Sequence, residues 1–434
     1  MSATVIRQPG LVLRDHTFDV PLDYDAPAGE RIQLYAREAV AAGRERDELP
    51  WLLFLQGGPG VAAQRPAGAS GWLRRALKDY RVLLLDQRGT GRSTPLNRQT
   101  LPQRGTPEVQ AEYLSHFRAD TIVRDAEALR KRVAGPSGSW SVLGQSFGGF
   151  CVMTYLSYAP QHVREAFVTG GLPGLRSTAE HVYRAAYPRV EAKNEAHYAR
   201  YPDDEAAARR IAAHLREQDV ALPNGARLTV EAFQSLGLML GSATGSHELH
   251  YLLESAWIPG THELSDAFLA EVARRISLAA HPLYALLQES IYAQRSAGNE
   301  PTAWAAQRVR AEYPQFDWPG GADDPFLFTG EMFYPWHFEQ DPVLRPLRQA
   351  AHLVAERKDW PDLYDPHRLA ANRVPVYAAV YHDDMYVDRT DSLATADAVP
   401  GTRVWVTNEW EHDGLRVSDG AVLDRLLRMA RGEV

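Results

Sequence analysis

Cysteine is nearly absent from this chain of 434 residues, since Cys151 is the only one. A single thiol excludes an internal disulfide and any metal cluster built on cysteines. The sequence also lacks an apolar run of about 18 residues, which a membrane-spanning helix would need. Its N-terminus lacks a basic segment followed by an apolar run, the pattern of a signal peptide. We therefore expect a soluble, cytoplasmic protein.

Strong charge of either sign is missing too. Lys and Arg number 47 and Asp and Glu number 55, which gives a net charge of −8, and no basic block stands out. This balance argues against nucleic acid or an anionic membrane as a partner. The length exceeds what one ordinary core can bury, so it predicts a large domain with an insertion, or two domains.

Strand and helix patterns alternate in the first part of the chain and again near its end. Apolar runs predict strands at 11–20, 31–40, 51–55, 81–85, 140–143, 163–169, 374–381 and 402–407, and periodic patterns predict helices at 71–79, 120–133 and 418–431. Alternation of this kind is typical of a parallel sheet with right-handed crossovers. From 175 to 365 the patterns are mainly those of amphipathic helices, with examples at 203–217, 265–279 and 302–313. Each of these starts at an N-cap candidate, namely Asp203, Ser265 and Thr302. We expect an α/β core, 1–174 and 366–434, split by a helical cap, 175–365.

The run Gly-Gln-Ser-Phe-Gly-Gly at 144–149 directly follows a predicted strand and precedes a helix. A Gly-x-Ser-x-Gly turn of this sharpness strains the serine backbone and leaves no room for side chains at the flanking glycines. The strain exposes the hydroxyl above the start of the next helix, where it can act as a nucleophile. We therefore predict Ser146 as the nucleophile of a serine hydrolase.

A serine nucleophile needs a base and a carboxylate that orients the base. Because parallel strands end at the same edge of a sheet, these partners should follow later strands. Asp384 follows the strand at 374–381 and His412 follows the strand at 402–407, in the chain order that a hydrolase of this fold requires. Asp383 is an alternative acid and His382 an alternative base.

The charge that develops on the substrate carbonyl needs backbone N–H donors. Phe147, directly after the serine, supplies one of them. The second should come from the Gln-Gly-Gly-Pro-Gly loop at 56–60, which follows a buried strand. Glycine-proline clusters of this kind also occur as plain turns.

Three motifs together resemble one family. Gly-Gly-Pro-Gly at 57–60, Asp-Gln-Arg-Gly-Thr-Gly-Arg-Ser at 86–93 and the serine turn at 144–149, in that order and spacing, are similar to the proline iminopeptidase (prolyl aminopeptidase) family of α/β-hydrolases. The likeness extends over the whole length and is closest to the larger bacterial members. It implies Ser146, Asp384 and His412 as the triad and Gly58 with Phe147 as the oxyanion hole. Two positions depart from the family: Gln56 replaces a usual histidine, and Glu411 replaces a common glycine.

The resemblance also implies a carboxylate in the cap that binds the substrate amine. Glu331, in Gly-Glu-Met-Phe-Tyr-Pro-Trp at 330–336, matches the place of the family's glutamate, and Glu289 is a second candidate. A solvated helix face is the alternative for each of them. Phe147, Phe333, Tyr334 and Trp336 are candidates for the wall of a small apolar pocket, with ordinary cap core as the alternative.

These observations predict a serine aminopeptidase that releases N-terminal proline from peptides through an acyl-enzyme, without a metal or organic cofactor. Its partners would be peptide substrates, not nucleic acid or membrane. A broader aminopeptidase or esterase of the same fold is one alternative. A binding protein without catalytic activity is another, and an intact triad argues against it.

Overall fold

The computed structural model describes residues 5–321 and 323–434. Its described strands form a single nine-stranded sheet. The strands are β1 Val5–Gln8, β2 Leu11–Pro21, β3 Arg31–Ala41, β4 Trp51–Leu55, β5 Arg81–Asp86, β6 Trp140–Gln145, β7 Val163–Thr169, β8 Val376–Tyr381 and β9 Thr402–Thr407. The predicted strands are confirmed, with their ends shifted by at most two residues, and β1 is an addition.

The order across the sheet is β1-β2-β3-β5-β4-β6-β7-β8-β9. The first three strands pair in antiparallel fashion, and β3 pairs antiparallel with β5, whereas the strands from β5 to β9 are parallel. Every residue of β6 and β8 is buried. Helices on both faces of the sheet explain why these strands read as continuous apolar runs. The predicted α/β architecture is confirmed.

The described residues include seventeen α-helices. They are α1 Gly71–Ala76, α2 Pro107–Ser115, α3 Ala119–Val133, α4 Phe147–Tyr158, α5 Ala179–Arg200, α6 Asp204–Glu217, α7 Val230–Gln234, α8 Gly245–Glu254, α9 Asp266–Ile276, α10 Pro282–Leu287, α11 Ala305–Arg310, α12 His337–Gln340, α13 Arg348–Glu356, α14 Pro366–Ala370, α15 Arg389–Ala398, α16 Gly414–Val417 and α17 Ala421–Ala430. In the described part of the chain, no helix has both the length and the apolar character needed to cross a membrane.

The helix starts in the insertion agree only partly with the expected caps. Ser265 caps α9 as predicted, because its side chain accepts a hydrogen bond from Phe268 N at 3.1 Å. Asp203 lies in the helical region and makes no such bond at the start of α6. The helix predicted at 302–313 is shortened to α11, because Ala303 and Trp304 have φ angles of 47° and 56°. Backbone in this left-handed region interrupts an α-helix.

The helices between β7 and β8 are tied to the sheet-bearing part by buried contacts. Arg118, which is 0% exposed, donates hydrogen bonds of 2.8 Å to the carbonyls of Ser290 and Pro361. In the described residues between Thr169 and Val376, no strand joins the sheet. The division into a core of 1–174 and 366–434 and a cap of 175–365 agrees with this element order and stays a prediction.

Candidate active site

Ser146 lies at a sharp turn between β6 and α4. Its φ and ψ angles are 55° and −127°, a conformation that residues with side chains rarely adopt. A Cβ atom on Gly148 would collide with the Leu55 carbonyl, and one on Gly144 would collide with the Gly148 carbonyl. Glycine at both flanking positions therefore allows the turn to pack directly against β4, with the serine at the carboxyl end of β6.

His412 and Asp384 meet at the same edge of the sheet. His412 Nδ1 lies 2.6 Å from Asp384 Oδ2. The other carboxylate oxygen, Oδ1, accepts hydrogen bonds from the N–H groups of Tyr386 at 2.8 Å and Val387 at 3.1 Å. Asp384 is 1% exposed and His412 is 8% exposed. The turn after β8 thus fixes the carboxylate, and the carboxylate fixes the imidazole.

The two alternative residues lie together at the surface. His382 Nδ1 is 2.7 Å from Asp383 Oδ1, and both side chains are about half exposed. Neither residue lines the cavity that contains Ser146. The geometry therefore favours His412 and Asp384 over this pair as the candidate base and acid.

The pKa of His412 reflects two opposing influences. Burial lowers this pKa, whereas the charge and hydrogen bond of Asp384 and the charge of Glu331 raise it, and the pKa lies above its ordinary value. Asp384 therefore stabilises the imidazolium form. A base that accepts a proton from a serine requires this stabilisation.

Two backbone elements lie next to the serine, the start of α4 and the glycine loop after β4. Phe147 is the first residue of α4, so its N–H has no partner within the helix. Gly58 has a φ angle of 133°, which favours glycine, and a Cβ on the preceding Gly57 would lie 2.8 Å from the Ser146 Cβ. The glycine loop after β4 therefore lies against the serine, next to the start of α4.

The Asp-Gln-Arg motif holds this loop from behind. Gln87 donates a hydrogen bond of 2.9 Å to the Gln56 carbonyl. Arg88, 1% exposed, donates two hydrogen bonds of 2.7 Å to the Asp125 carboxylate and one of 2.8 Å to the Leu22 carbonyl. Gln87 thus anchors the loop through the backbone of Gln56, whatever the side chain at 56.

A cavity of about 230 Å³ opens above the serine, small beside the roughly 300–1,000 Å³ of typical ligand pockets. Its lining residues are Gln56, Gly57, Gly58, Val61, Gln145, Ser146, Leu238, Tyr284, Glu331, Tyr386, His412 and Arg416. Ser146, His412, Gly58 and Glu331 are thus brought together. Among the described residues, no hydrogen bond joins the Ser146 and His412 side chains. Such bonds are often long in an enzyme without substrate.

Glu331 presents a half-buried carboxylate to this cavity. It accepts a hydrogen bond from the Tyr284 hydroxyl and another, of 3.0 Å, from Gln288 Nε2. Burial raises the pKa of Glu331 to about 7, although the bond from Tyr284 lowers it. Among the described residues, no cationic side chain forms an ion pair with this carboxylate. It is therefore a fitting receptor for a cation that arrives with a ligand.

The second acidic candidate lies elsewhere. Glu289 is 8% exposed and accepts a hydrogen bond of 3.0 Å from Ala306 N at the start of α11. It does not line the cavity above Ser146. A carboxylate at the start of a helix stabilises the free N–H groups there, so the position of Glu289 indicates a structural role.

The aromatic candidates are also set back from the cavity. Phe333 packs edge-on against Tyr284 at 4.8 Å between ring centroids, so it supports a wall without forming it. Tyr334 is 0% exposed and shares a hydrogen bond of 3.0 Å with Tyr187. Trp336 stacks on His337 at 3.7 Å and borders a different cavity. Phe147, the first residue of α4, is buried and does not line the cavity.

The walls that the structure does provide were missed by sequence reasoning. Tyr284 and Leu238 come from the insertion, and their positions depend on how it folds over the sheet. Tyr386 packs edge-on against the His412 ring at 4.7 Å and donates a hydrogen bond to the Leu238 carbonyl. Its place two residues after Asp384 was the one available signal.

Comparison with known proteins identifies the family of this chain. Residues 50–416 match the α/β hydrolase fold family. A proline iminopeptidase from Aeromonas sobria is 50% identical over 423 residues, which cover 97% of each chain. A proline iminopeptidase from Aspergillus aculeatus is 36% identical over 429 residues, or 96% of this chain and 93% of that relative. This chain therefore belongs to the proline iminopeptidase family, within the α/β hydrolase fold.

Proposed function

We propose that this protein is a serine aminopeptidase that releases N-terminal proline from peptides. The observation that carries the proposal is the Glu331 carboxylate, which lines the same cavity as Ser146 and His412. The relatives of this chain are named proline iminopeptidases, which supports proline as the residue that is released. The triad, the oxyanion donors and the amine-binding role of Glu331 are all parts of the proposal.

Substrate binding begins with charge pairing. The α-amine of an N-terminal residue is cationic, and its removal from water is costly unless a carboxylate meets it. Glu331 supplies that carboxylate, and the pairing in turn favours its ionised form. Because Tyr284 and Gln288 donate to Glu331, the carboxylate is held in one orientation before the substrate enters. The amine then places the first carbonyl over Ser146.

Acyl transfer follows at that carbonyl. His412 takes the proton of the Ser146 hydroxyl as its oxygen attacks, and Asp384 stabilises the imidazolium. The N–H groups of Gly58 and Phe147 bind the oxyanion. His412 then protonates the leaving peptide amine, and water attacks the prolyl ester to release proline and restore the serine.

The size and lining of the cavity favour a small apolar first residue. Leu238, Tyr284 and Tyr386 contribute its apolar surface, and its volume is about 230 Å³. A pyrrolidine ring is compact and carries no polar atom beyond the amine that Glu331 binds. A longer charged side chain would lack a partner there, and burying it unpaired is costly.

The test compares substrates with and without a free amine. We would measure kcat/KM on prolyl- and alanyl-4-nitroanilide, N-acetylprolyl-4-nitroanilide and a simple nitrophenyl ester. Prolyl anilide should be the best substrate. In Glu331→Gln, the ratio of the free-amine to the N-acetyl substrate should fall roughly ten- to hundredfold, as expected for loss of a charged hydrogen bond.

Each alternative has its own outcome in the same assay. Equal rates on prolyl and alanyl anilides would favour a broader aminopeptidase, and fast turnover of the ester alone would favour an esterase. Binding without turnover in both the wild type and Ser146→Ala would indicate a binding protein. An unchanged ratio in Glu331→Gln would remove Glu331 from amine binding.

A further inference from the structure

Arg416 borders two cavities at once. It lies in the short helix α16, directly after the His412 loop, and lines the cavity above Ser146. It also lines a second cavity of about 390 Å³, whose other walls come mainly from residues 64–73, after the glycine loop. The two cavities therefore share Arg416 as a lining residue.

The Arg416 guanidinium is available to a ligand. The residue is exposed, and among the described residues its side chain has no hydrogen-bond or ion-pair partner. In contrast, Arg65, which also lines the second cavity, donates a hydrogen bond of 2.8 Å to Asp86. The residue that both cavities share thus carries a free cation.

The charge of Arg416 reaches the catalytic edge. Burial and the Arg416 charge both lower the pKa of His412, whereas Asp384 and Glu331 raise it. An anionic group bound to Arg416 would therefore lie close to the imidazole that protonates the leaving amine.

We propose that Arg416 binds the C-terminal carboxylate of short peptide substrates, so that free di- and tripeptides beginning with proline are the preferred substrate class. The inference rests on the proposed function and deepens it. Guanidinium groups bind carboxylates through paired charge-assisted hydrogen bonds.

The direction of the substrate follows from the chemistry. Glu331 holds the amine, so the chain passes from Glu331 over Ser146. The leaving amine must lie near His412, and the leaving peptide then continues past that residue. The second cavity shares Arg416 with the cavity above Ser146 and is lined by neither Glu331 nor Tyr284, so we place the leaving peptide on that side. A short leaving peptide would thus end within reach of a free guanidinium.

The test compares acids with amides. Release of proline from Pro-Gly and Pro-Gly-Gly, each as the free acid and as the C-terminal amide, would be measured in the wild type, Arg416→Gln and Arg416→Lys. Arg403→Gln is the matched control, because Arg403 is an exposed arginine that lines neither cavity. The ratio of kcat/KM for acid over amide should exceed one in the wild type and in Arg403→Gln. It should fall about tenfold in Arg416→Gln, as for loss of a charge-assisted bond, and less in Arg416→Lys.

The outcomes separate this inference from the proposed function. An acid-over-amide ratio of one in the wild type, or a ratio that is unchanged in Arg416→Gln, would overturn the role of Arg416. Proline release from the amides in the same assay would still support the proposed activity. If the protein released proline from none of these peptides and not from prolyl-4-nitroanilide, the proposed function itself would be overturned.

Discussion

Lys193 of helix α5 binds the carboxylate next to the candidate base: its Nζ lies 2.6 Å from both oxygens of Glu411. Glu411 is the residue before His412, so this ion pair joins the insertion to the loop that carries the imidazole. Burial raises the pKa of Glu411, and Lys193 lowers it in part. Glu411 stands where the family commonly has glycine, and the insertion supplies Lys193 as the partner of its carboxylate.

Replacing Lys193 should lower stability and kcat more than replacing Glu411 does. Lys193→Met leaves a half-buried carboxylate unpaired beside His412, whereas Glu411→Gln frees a lysine that can extend into water. We expect Lys193→Met to cost about 1 kcal/mol of stability and to lower kcat a few-fold. The double variant should recover part of both losses, as measured by denaturant unfolding and by kinetics. Equal losses in the two single variants would contradict this.

The neighbouring aspartates provide a matched pair. Asp384→Asn removes the carboxylate that orients His412, and comparable changes in other triads lower kcat by about 10⁴-fold. Asp383→Asn removes only an exposed partner of His382. Steady-state kinetics should therefore show a loss of roughly 10³- to 10⁴-fold for the first and less than about twofold for the second. Comparable losses would mean that the assignment of the acid is wrong.

The pH dependence should report the charge of Glu331. Burial lowers the pKa of His412, and Asp384 and Glu331 both raise it. Loss of the Glu331 charge in Glu331→Gln should lower this pKa, so His412 becomes neutral at lower pH. The acid limb of kcat/KM for an ester without an amine should then move to lower pH. Asp383→Asn is the control, and an acid limb that stays in place or moves upward would contradict the coupling.

Glu289 should make stability depend on pH. Burial raises its pKa from an ordinary value of 4.5 to about 7, so the native state holds a proton that the unfolded state releases. Its contribution is fully present below about pH 4.5 and is lost as the pH rises through about 7. Glu289→Gln cannot ionise, and its advantage in unfolding free energy over the wild type should grow between pH 5 and 8, by at most about 3 kcal/mol.

The control for this measurement is Glu254→Gln, which changes an exposed glutamate at the end of α8. Its free energy of unfolding relative to the wild type should stay constant over the same pH range. If Glu289→Gln gains no advantage between pH 5 and 8, the raised pKa is not a property of the native protein.

Most of the sheet could be predicted from the sequence, because a strand covered on both faces must be apolar throughout. The serine turn could be predicted as well, because the structure leaves no room for a Cβ atom at positions 144 and 148 and the sequence has glycine at both. The choice between Asp383 and Asp384 could not be predicted, because it depends on the local turn. That turn directs the Asp384 carboxylate to the N–H groups of Tyr386 and Val387 and leaves the Asp383 carboxylate exposed to water.

The insertion was harder to predict for a different reason. Acid beside aromatics at 330–336 indicated a binding segment, and Glu331 does line the cavity. The aromatic residues that follow it instead pack against the insertion itself. Tyr284, which takes the place expected for them, lies 47 residues away from Glu331 in the chain, a contact that no local pattern encodes.

The proposed reaction requires that the hydroxyl of Ser146 becomes acylated. A fluorophosphonate would be incubated with the wild type, Ser146→Ala and His412→Ala, and the modified residue identified by peptide mass spectrometry alongside residual turnover of prolyl-4-nitroanilide. We expect one adduct, on Ser146, with turnover lost in step with labelling, and little or no labelling in either variant. An adduct on another residue that abolishes turnover, or full turnover by Ser146→Ala, would contradict it.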